Sequence, residues 1–280
     1  MPLALAAVLV AAICSGGAAV LQAGAARRLP PADSLAAGFM VRLLRNPMYL
    51  LALVLIISSF GLSILALRTL PLFVVQAGRA SSLAVTALLG VLVLGVRLRR
   101  TEVVAVLGIA AGLVLLGLSS GPQGRPQLKL PGEFALLAAV LVIGIVAAVI
   151  VRMDSSARGG LYLSILAGCC FGLLALGARL LPSFDPVSLL QQPIAWAMGI
   201  SGVLGLLLGA IAFQRASVLA ATGGLVATET VVGSILGVLV AGDHPAEGTA
   251  ALAVGGLALT LIAALLLARF GGGEGHRDLA

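Results

Sequence analysis

LLGVLVLGV at residues 88–96 and ILGVLVAG at 235–242 are one apolar, glycine-spaced phrase written twice. Gly90 falls on Gly237 and Gly95 on Gly242 at a constant spacing of 147 residues, and at that spacing Gly108 falls on Gly255. Upstream of the shared phrase the first copy carries Arg79, in VVQAGRASS (74–82), and the second carries Glu229, in LVATETVV (225–232). An ionisable group at the centre of a helix in lipid costs about 2.5–3.5 kcal/mol on insertion scales, so such groups face a cavity or one another. A repeated membrane unit with one opposite charge per copy is a transporter-like pattern.

Composition sets the solvent. Of 280 residues, 61% are hydrophobic and 10% charged, with 36 glycines, far from the balance of a water-soluble domain. Runs of about 20 apolar residues span a hydrocarbon core roughly 30 Å thick. Nine such segments are expected, at 3–26, 47–67, 70–96, 101–120, 133–152, 160–181, 194–214, 217–241 and 248–269, giving an all-α, polytopic membrane bundle. The first begins MPLALAAVLVAAICSGG, without a basic n-region, and reads as a retained helix rather than a removable signal. Cys14, Cys169 and Cys170 fall inside segments and read as small apolar residues.

The net charge of +7 is a topology signal before it is a ligand signal. Twelve arginines, among them Arg27, Arg28, Arg152, Arg158 and Arg215, lie at alternate segment ends and in the C-terminal tail. The opposite ends hold Arg68, Arg125, Lys129 and Arg179. By the positive-inside rule the N-terminus is outside and the C-terminus in the cytoplasm, in a plasma (cytoplasmic) membrane. Anionic lipid is a secondary use of that charge, and no nucleic-acid partner is expected.

The repeat extends further, ALRTLPLFVV (66–75) resembling AFQRASVLAA (212–221). Segments two to four then correspond to seven to nine, and an offset of five makes the two units inverted, which places a site near the midplane between them. The expected organisation is one membrane domain: a first repeat over 1–120, a linker over 121–159 holding the fifth segment, a second repeat over 160–270 and a disordered tail over 271–280. At about 1.5 Å per residue, Arg79 and Glu229 both fall in the middle third of their helices. In the loop 27–46, Asp33 is expected to cap a short amphipathic segment whose Leu35, Phe39, Met40 and Leu43 face lipid. Tyr49, Tyr162 and Trp196 read as interfacial anchors. Gly108/Gly112, Gly168/Gly172, Gly205/Gly209 and Gly233/Gly237 have the spacing that lets helices pack closely.

The turns GVRL (95–98) and GDHP (242–245), each closing a glycine-patterned segment, resemble the Gly-Glu-Arg-Leu-like turns of the drug/metabolite transporter (DMT, EamA-like) superfamily. Asp243 keeps the acidic position, and Val96 replaces it in the first copy. The nine segments, SGGAAVLQAGAARR (15–28) and NPMYLLALVLIISSFGLSILAL (46–67) are similar to the branch that includes NIPA-like magnesium transporters. The resemblance implies two inverted units working by alternating access.

Arg79 and Glu229 are thus the leading candidate site, either as a buried pair that fixes packing or as groups touching substrate or a coupling proton. Stability alone does not explain burying such a pair, whose net contribution can be near zero. Gln22, Gln76, Thr86, Thr228 and Thr230 are the other polar groups at useful depths, with interhelical hydrogen bonding as the alternative for each. Gln76 and Arg79 share a helix face; Thr228 and Thr230 cannot both share that of Glu229. His244 and His276 stand in a loop and the tail, and neither a catalytic constellation nor a nucleotide-binding loop is present, so no enzyme activity and no cofactor are expected. The expected function is a secondary transporter of a small polar or anionic metabolite, the partners being that solute, the bilayer and a proton, with a homodimer left open. The alternatives are a magnesium or other divalent-cation transporter, and a non-transporting scaffold or lipid-carrier translocation partner.

Overall fold

A computed structural model describes residues 2–32, 34–35, 37–67, 75, 82–83, 85–86, 89, 100–119, 130–181, 186–242 and 245–270. The described secondary structure is helical: α1 (Pro2–Arg27), α2 (Ala37–Leu44), α3 (Pro47–Leu67), α4 (Arg100–Leu118), α5 (Leu130–Met153), α6 (Ala157–Leu180), α7 (Pro186–Gln191), α8 (Pro193–Arg215), α9 (Val218–Leu239) and α10 (Ala250–Phe270). Six of these are long and apolar enough to cross a membrane: Ala6–Arg27, Pro47–Ala66, Leu130–Met153, Ala157–Leu180, Pro193–Arg215 and Val218–Leu239. Val103–Leu118 and Ala250–Ala263 are shorter apolar helical stretches. The chain is a multi-pass membrane protein by the length and composition of these helices. Of the expected third segment, 70–96, only six residues are described, each helical.

The ends of the helices follow from local chemistry. Pro193 stands in the first turn of α8, where a missing N–H costs nothing. Ser156 caps α6 by accepting from the N–H groups of Arg158 and Gly159 at 3.2 and 3.4 Å, and Ser217 caps α9 by accepting from Ala220 N–H at 3.2 Å. α5 begins at Leu130, three residues ahead of the expected fifth segment at 133–152. Residues 120–129 ahead of it, and the tail 271–280, lie outside the described residues.

Packing is organised by small residues, as in lipid, where apolar surface alone gives helices no reason to associate. α6 is sandwiched between α8 and α9, and α5 lies across α6 and α8 with most of its surface outward. A Cβ built on Gly168 would stand 2.5 Å from the Leu225 carbonyl oxygen and 3.0 Å from Glu229 N; one on Gly172 would meet Val232 at 2.9 Å. α4 packs along α10, with a Cβ on Gly256 only 2.6 Å from the Gly112 carbonyl oxygen and one on Gly108 2.9 Å from Ala263 Cβ. α1 packs along α3 and also touches α8 and α9. Gly16 of α1 lies against Ser82 and Val85, where a Cβ would meet Val85 Cβ at 2.7 Å and the Ser82 carbonyl oxygen at 2.8 Å.

A polar belt fixes one end of the bundle. Arg27 donates to the carbonyls of Phe213 and Ala216, both at 3.1 Å, and Gln214 donates to Ala26 O at 2.8 Å. Arg215 donates to Asp154 O at 2.8 Å, Ala32 O at 2.7 Å and Val151 O at 3.1 Å. The arginines thereby satisfy carbonyls at the C-terminal ends of α5 and α8, where positive charge also suits the helix dipole. These bonds put the end of α1, the end of α8 and the start of α9 at one level, so α1 and α8 run parallel and α9 runs against both.

Two sequence expectations are corrected here. Phe39 and Leu43 do not face lipid: both are buried in the core at this end of the bundle, with Tyr49, Ala147, Val151 and Phe213. α2 folds inward against α3, leaving Val41 and Leu44 outward. The expected cap Asp33 lies outside the described residues. Tyr49 is not an interfacial anchor either, since the same core encloses it; Tyr162 and Trp196 are half-exposed, as anchoring requires.

Candidate functional site

α9 is the element on which the site is built. Its residues Thr222, Leu225, Val226, Glu229 and Thr230 recur at the three- and four-residue spacing of a single helix face. That face lines a cavity of about 700 Å³ enclosed by α1, α3, α6, α8 and α9, within the range of about 300–1,000 Å³ common for small-molecule sites. Across from it, α1 contributes Ser15, Ala18, Ala19 and Gln22 at the same periodicity. Apart from Ser59 and Ser82, the other described lining residues are largely apolar, among them Leu53, Ile56, Ile57 and Phe60 on α3, Phe171 and Leu174 on α6, and Met198, Val203 and Leu206 on α8.

Depth follows from the polar belt. Measured from the level of Arg27 and Ala216, Gln22 and Thr222 lie about 8–9 Å in, and Ser15 and Glu229 about 18–20 Å in. Glu229 is 4% exposed and midway along α9. Gly168 positions it: the absence of a side chain there lets α6 approach the Glu229 backbone and turns the carboxylate face of α9 away from α6, toward the cavity.

The sequence candidates separate on this geometry. Gln22, Glu229 and Thr230 come together on the cavity wall. Thr228 does not join them; a Cβ on Gly168 would stand 2.7 Å from its Cβ, so it belongs to the α6–α9 contact. Thr86 is buried and donates to Ser82 O at 2.8 Å and Gly16 O at 3.4 Å, an interhelical bond away from the cavity. Thr230 donates to Val226 O at 2.8 Å, one turn back. Arg79 and Gln76, and with them the proposed Arg79–Glu229 pairing, lie outside the described residues.

No protein-family model, curated protein or solved structure matches the chain. The site therefore stands on its own chemistry. Glu229 is the one carboxylate among the described residues that line the cavity, and no cluster of three or more His, Cys, Asp or Glu side chains occurs among the described residues.

Four polar wall residues escaped the sequence reading: Ser15, Ser59, Ser82 and Thr222. Ser59 donates to Ala11 O at 2.7 Å and joins α3 to α1. Thr222 is more telling, because its hydroxyl is buried with no hydrogen-bond partner among the described residues. Its position two turns before Glu229, on the same face, was the available signal. Trp196, read as an anchor, also stands at the cavity mouth, its Nε1–H donating to Leu190 O at 3.1 Å.

Proposed function

We propose that the protein is a secondary transporter that binds a small organic solute in the cavity between α1, α3, α6, α8 and α9 and moves it by alternating access. The carrying observation is Glu229, an ionisable group buried midway along a membrane-spanning helix and lining a cavity large enough for a solute. Such a group is costly in lipid, faces a cavity or a partner group, and marks the paths of ions, protons and substrates. In this role Glu229 takes up and releases the coupling proton, Gln22 and Thr222 hydrogen-bond the solute, and Arg79 supplies the countercharge to Glu229.

Inverted repeats give the movement its mechanical basis. At the spacing of 147 residues, Ser82 and Val85 fall on Glu229 and Val232. Gly16 of α1 lies against the first pair, and Gly168 and Gly172 of α6 against the second. α1 packs on α3 as α6 packs on α8, and α4 meets α10 through Gly108, Gly112 and Gly256. These parallels support nine crossings in two inverted units around the cavity, and with them the likeness to drug/metabolite transporters. By the positive-inside rule, the arginine distribution supports a cytoplasmic position for the polar belt of Arg27 and Arg215.

The test is flux. Purified protein is screened for solutes that raise its melting temperature, and hits are measured for uptake into proteoliposomes across a pH gradient. Uptake should depend on pH in the unaltered protein and lose that dependence in Glu229→Gln. If Glu229→Gln and Arg79→Ala both leave uptake and its pH dependence intact, the site assignment fails.

A further inference from the structure

The cavity is chemically two-sided. Among the described lining residues most polar groups stand on α1 and α9, whereas the surface that α3 and α8 present is largely hydrocarbon, Ile56, Ile57 and Phe60 on one and Val203 and Leu206 on the other. α3 and α8 both pack on other helices but do not pack closely on each other. Ile57 and Val203 line the cavity and are nevertheless 62% and 60% exposed, so they stand where the cavity meets the outer surface of the bundle. On α8 that edge is cut back to backbone. Among the described residues, a Cβ on Gly199 would meet nothing within 4 Å, and one on Gly202 only the Leu174 methyl groups at 3.9 Å. Both helices are membrane spans, so this gap opens sideways into hydrocarbon, not water.

Two features select the occupant. A wholly polar solute would leave the α3 and α8 walls without an apolar partner, and a plain hydrocarbon would leave the buried Thr222 hydroxyl unsatisfied, at the cost that accompanies an unmade buried hydrogen bond. We infer that the substrate is a single-chain amphiphile that enters from the bilayer through the α3–α8 gap, its chain against Ile57, Phe60 and Val203 and an uncharged hydrogen-bonding head at Thr222 and Gln22. This substrate class rests on the transporter proposed above, since the same cavity serves both.

The chain contains a single tryptophan, Trp196, and it stands at the mouth, which makes occupancy directly readable. In phosphatidylcholine nanodiscs, monolaurin brominated on its chain should quench Trp196 with a saturable component above the linear quenching due to probe in the bulk bilayer. Unbrominated monolaurin should displace that component and dodecane should not. Thr222→Val should weaken it about fivefold, the worth of one neutral hydrogen bond. Gly199→Leu combined with Gly202→Leu should abolish it at an unchanged melting temperature; should the double variant not fold, Gly199→Leu alone, at the position with open space, carries the same expectation. Quenching that is only linear in probe, or displacement by dodecane as readily as by monolaurin, overturns the inference. The two proposals fail separately. Saturable, displaceable quenching without any flux would sink the transporter and leave the amphiphile site; pH-dependent flux of a water-soluble solute with only linear quenching would sink lateral entry and leave the transporter.

Discussion

Gly168 and Gly199 have the same side chain and opposite tolerances. At Gly168 an added methyl would drive into the Leu225 carbonyl oxygen and the Glu229 backbone, neither of which can give way without moving α9. Gly168→Ala should therefore lower stability by about 1–3 kcal/mol, the range for overpacking, read as a drop in melting temperature in detergent. It should also impair uptake, because the displaced residue is Glu229. At Gly199 the same change meets open space, and the higher helix propensity of alanine should leave the melting temperature unchanged or slightly raised. An unchanged melting temperature in Gly168→Ala would show that the α6–α9 approach is looser than the geometry requires. The sequence held half of this contrast: the spacing of Gly168 and Gly172 marks a packing face. It could not separate that face from the glycines at 199 and 202, because composition does not say whether a glycine touches a neighbouring backbone or stands at the edge of a gap.

Among elements, the join between α5, α6 and α8 shows charge serving structure as well as topology. Arg215 closes the C-terminal end of α5 through Val151 and Asp154 carbonyls and reaches Ala32 beyond. Arg215→Ala should cost about 1.5–3 kcal/mol, the scale of a hydrogen bond to a charged group, and Arg215→Lys should recover little of it because a single ammonium cannot span three divergent carbonyls. Asp154 adds a pH dependence to the same join. Its carboxyl is held below the usual carboxylate range, first by the Ser156 hydroxyl, then by the Ser156 N–H at 2.9 Å, and further by the charges of Arg215 and Arg158. A carboxyl whose folded value is depressed stabilises the fold above its unfolded value of about 3.9 and loses that contribution as pH falls through the folded value. Melting temperature in detergent should fall on acidification through that window, and Asp154→Asn should flatten this part of the profile. An unchanged acid limb in Asp154→Asn would show that the join does not titrate. Sequence placed Arg152, Arg158 and Arg215 on one side of the membrane, and nothing in their spacing indicated which of them would bind helix ends.

At the scale of the whole molecule, the helices were legible because apolar length is written directly in sequence, and most observed ends fall within a few residues of the expected ones. Glu229 was legible for the same reason, as a charge standing out against hydrocarbon. The cavity was not, since helices apolar all round do not reveal by hydropathy which side faces lipid and which faces protein; Phe39 and Leu43 were misread on that ground. Orientation is a further step, carried by the proposed cytoplasmic placement of the arginine belt. The belt joins residues near Arg27, Asp154 and Arg215, and Gln191 lies at the opposite end of α8, a helix of 23 residues that rises about 34 Å. In a background with Cys14, Cys169 and Cys170 changed to alanine, Ser155→Cys should react with a membrane-impermeant maleimide only from the cytoplasmic side, and Gln191→Cys only from outside. Both positions are exposed and outside the belt's hydrogen bonds, so labelling reads access rather than folding. Labelling of both from one side would mean that α6 does not cross the membrane, which its length and hydropathy oppose. Labelling from opposite sides in the reverse sense would keep every helix contact and invert the transporter, so that the positive-inside rule would have failed for a chain whose arginines are occupied in holding helix ends together.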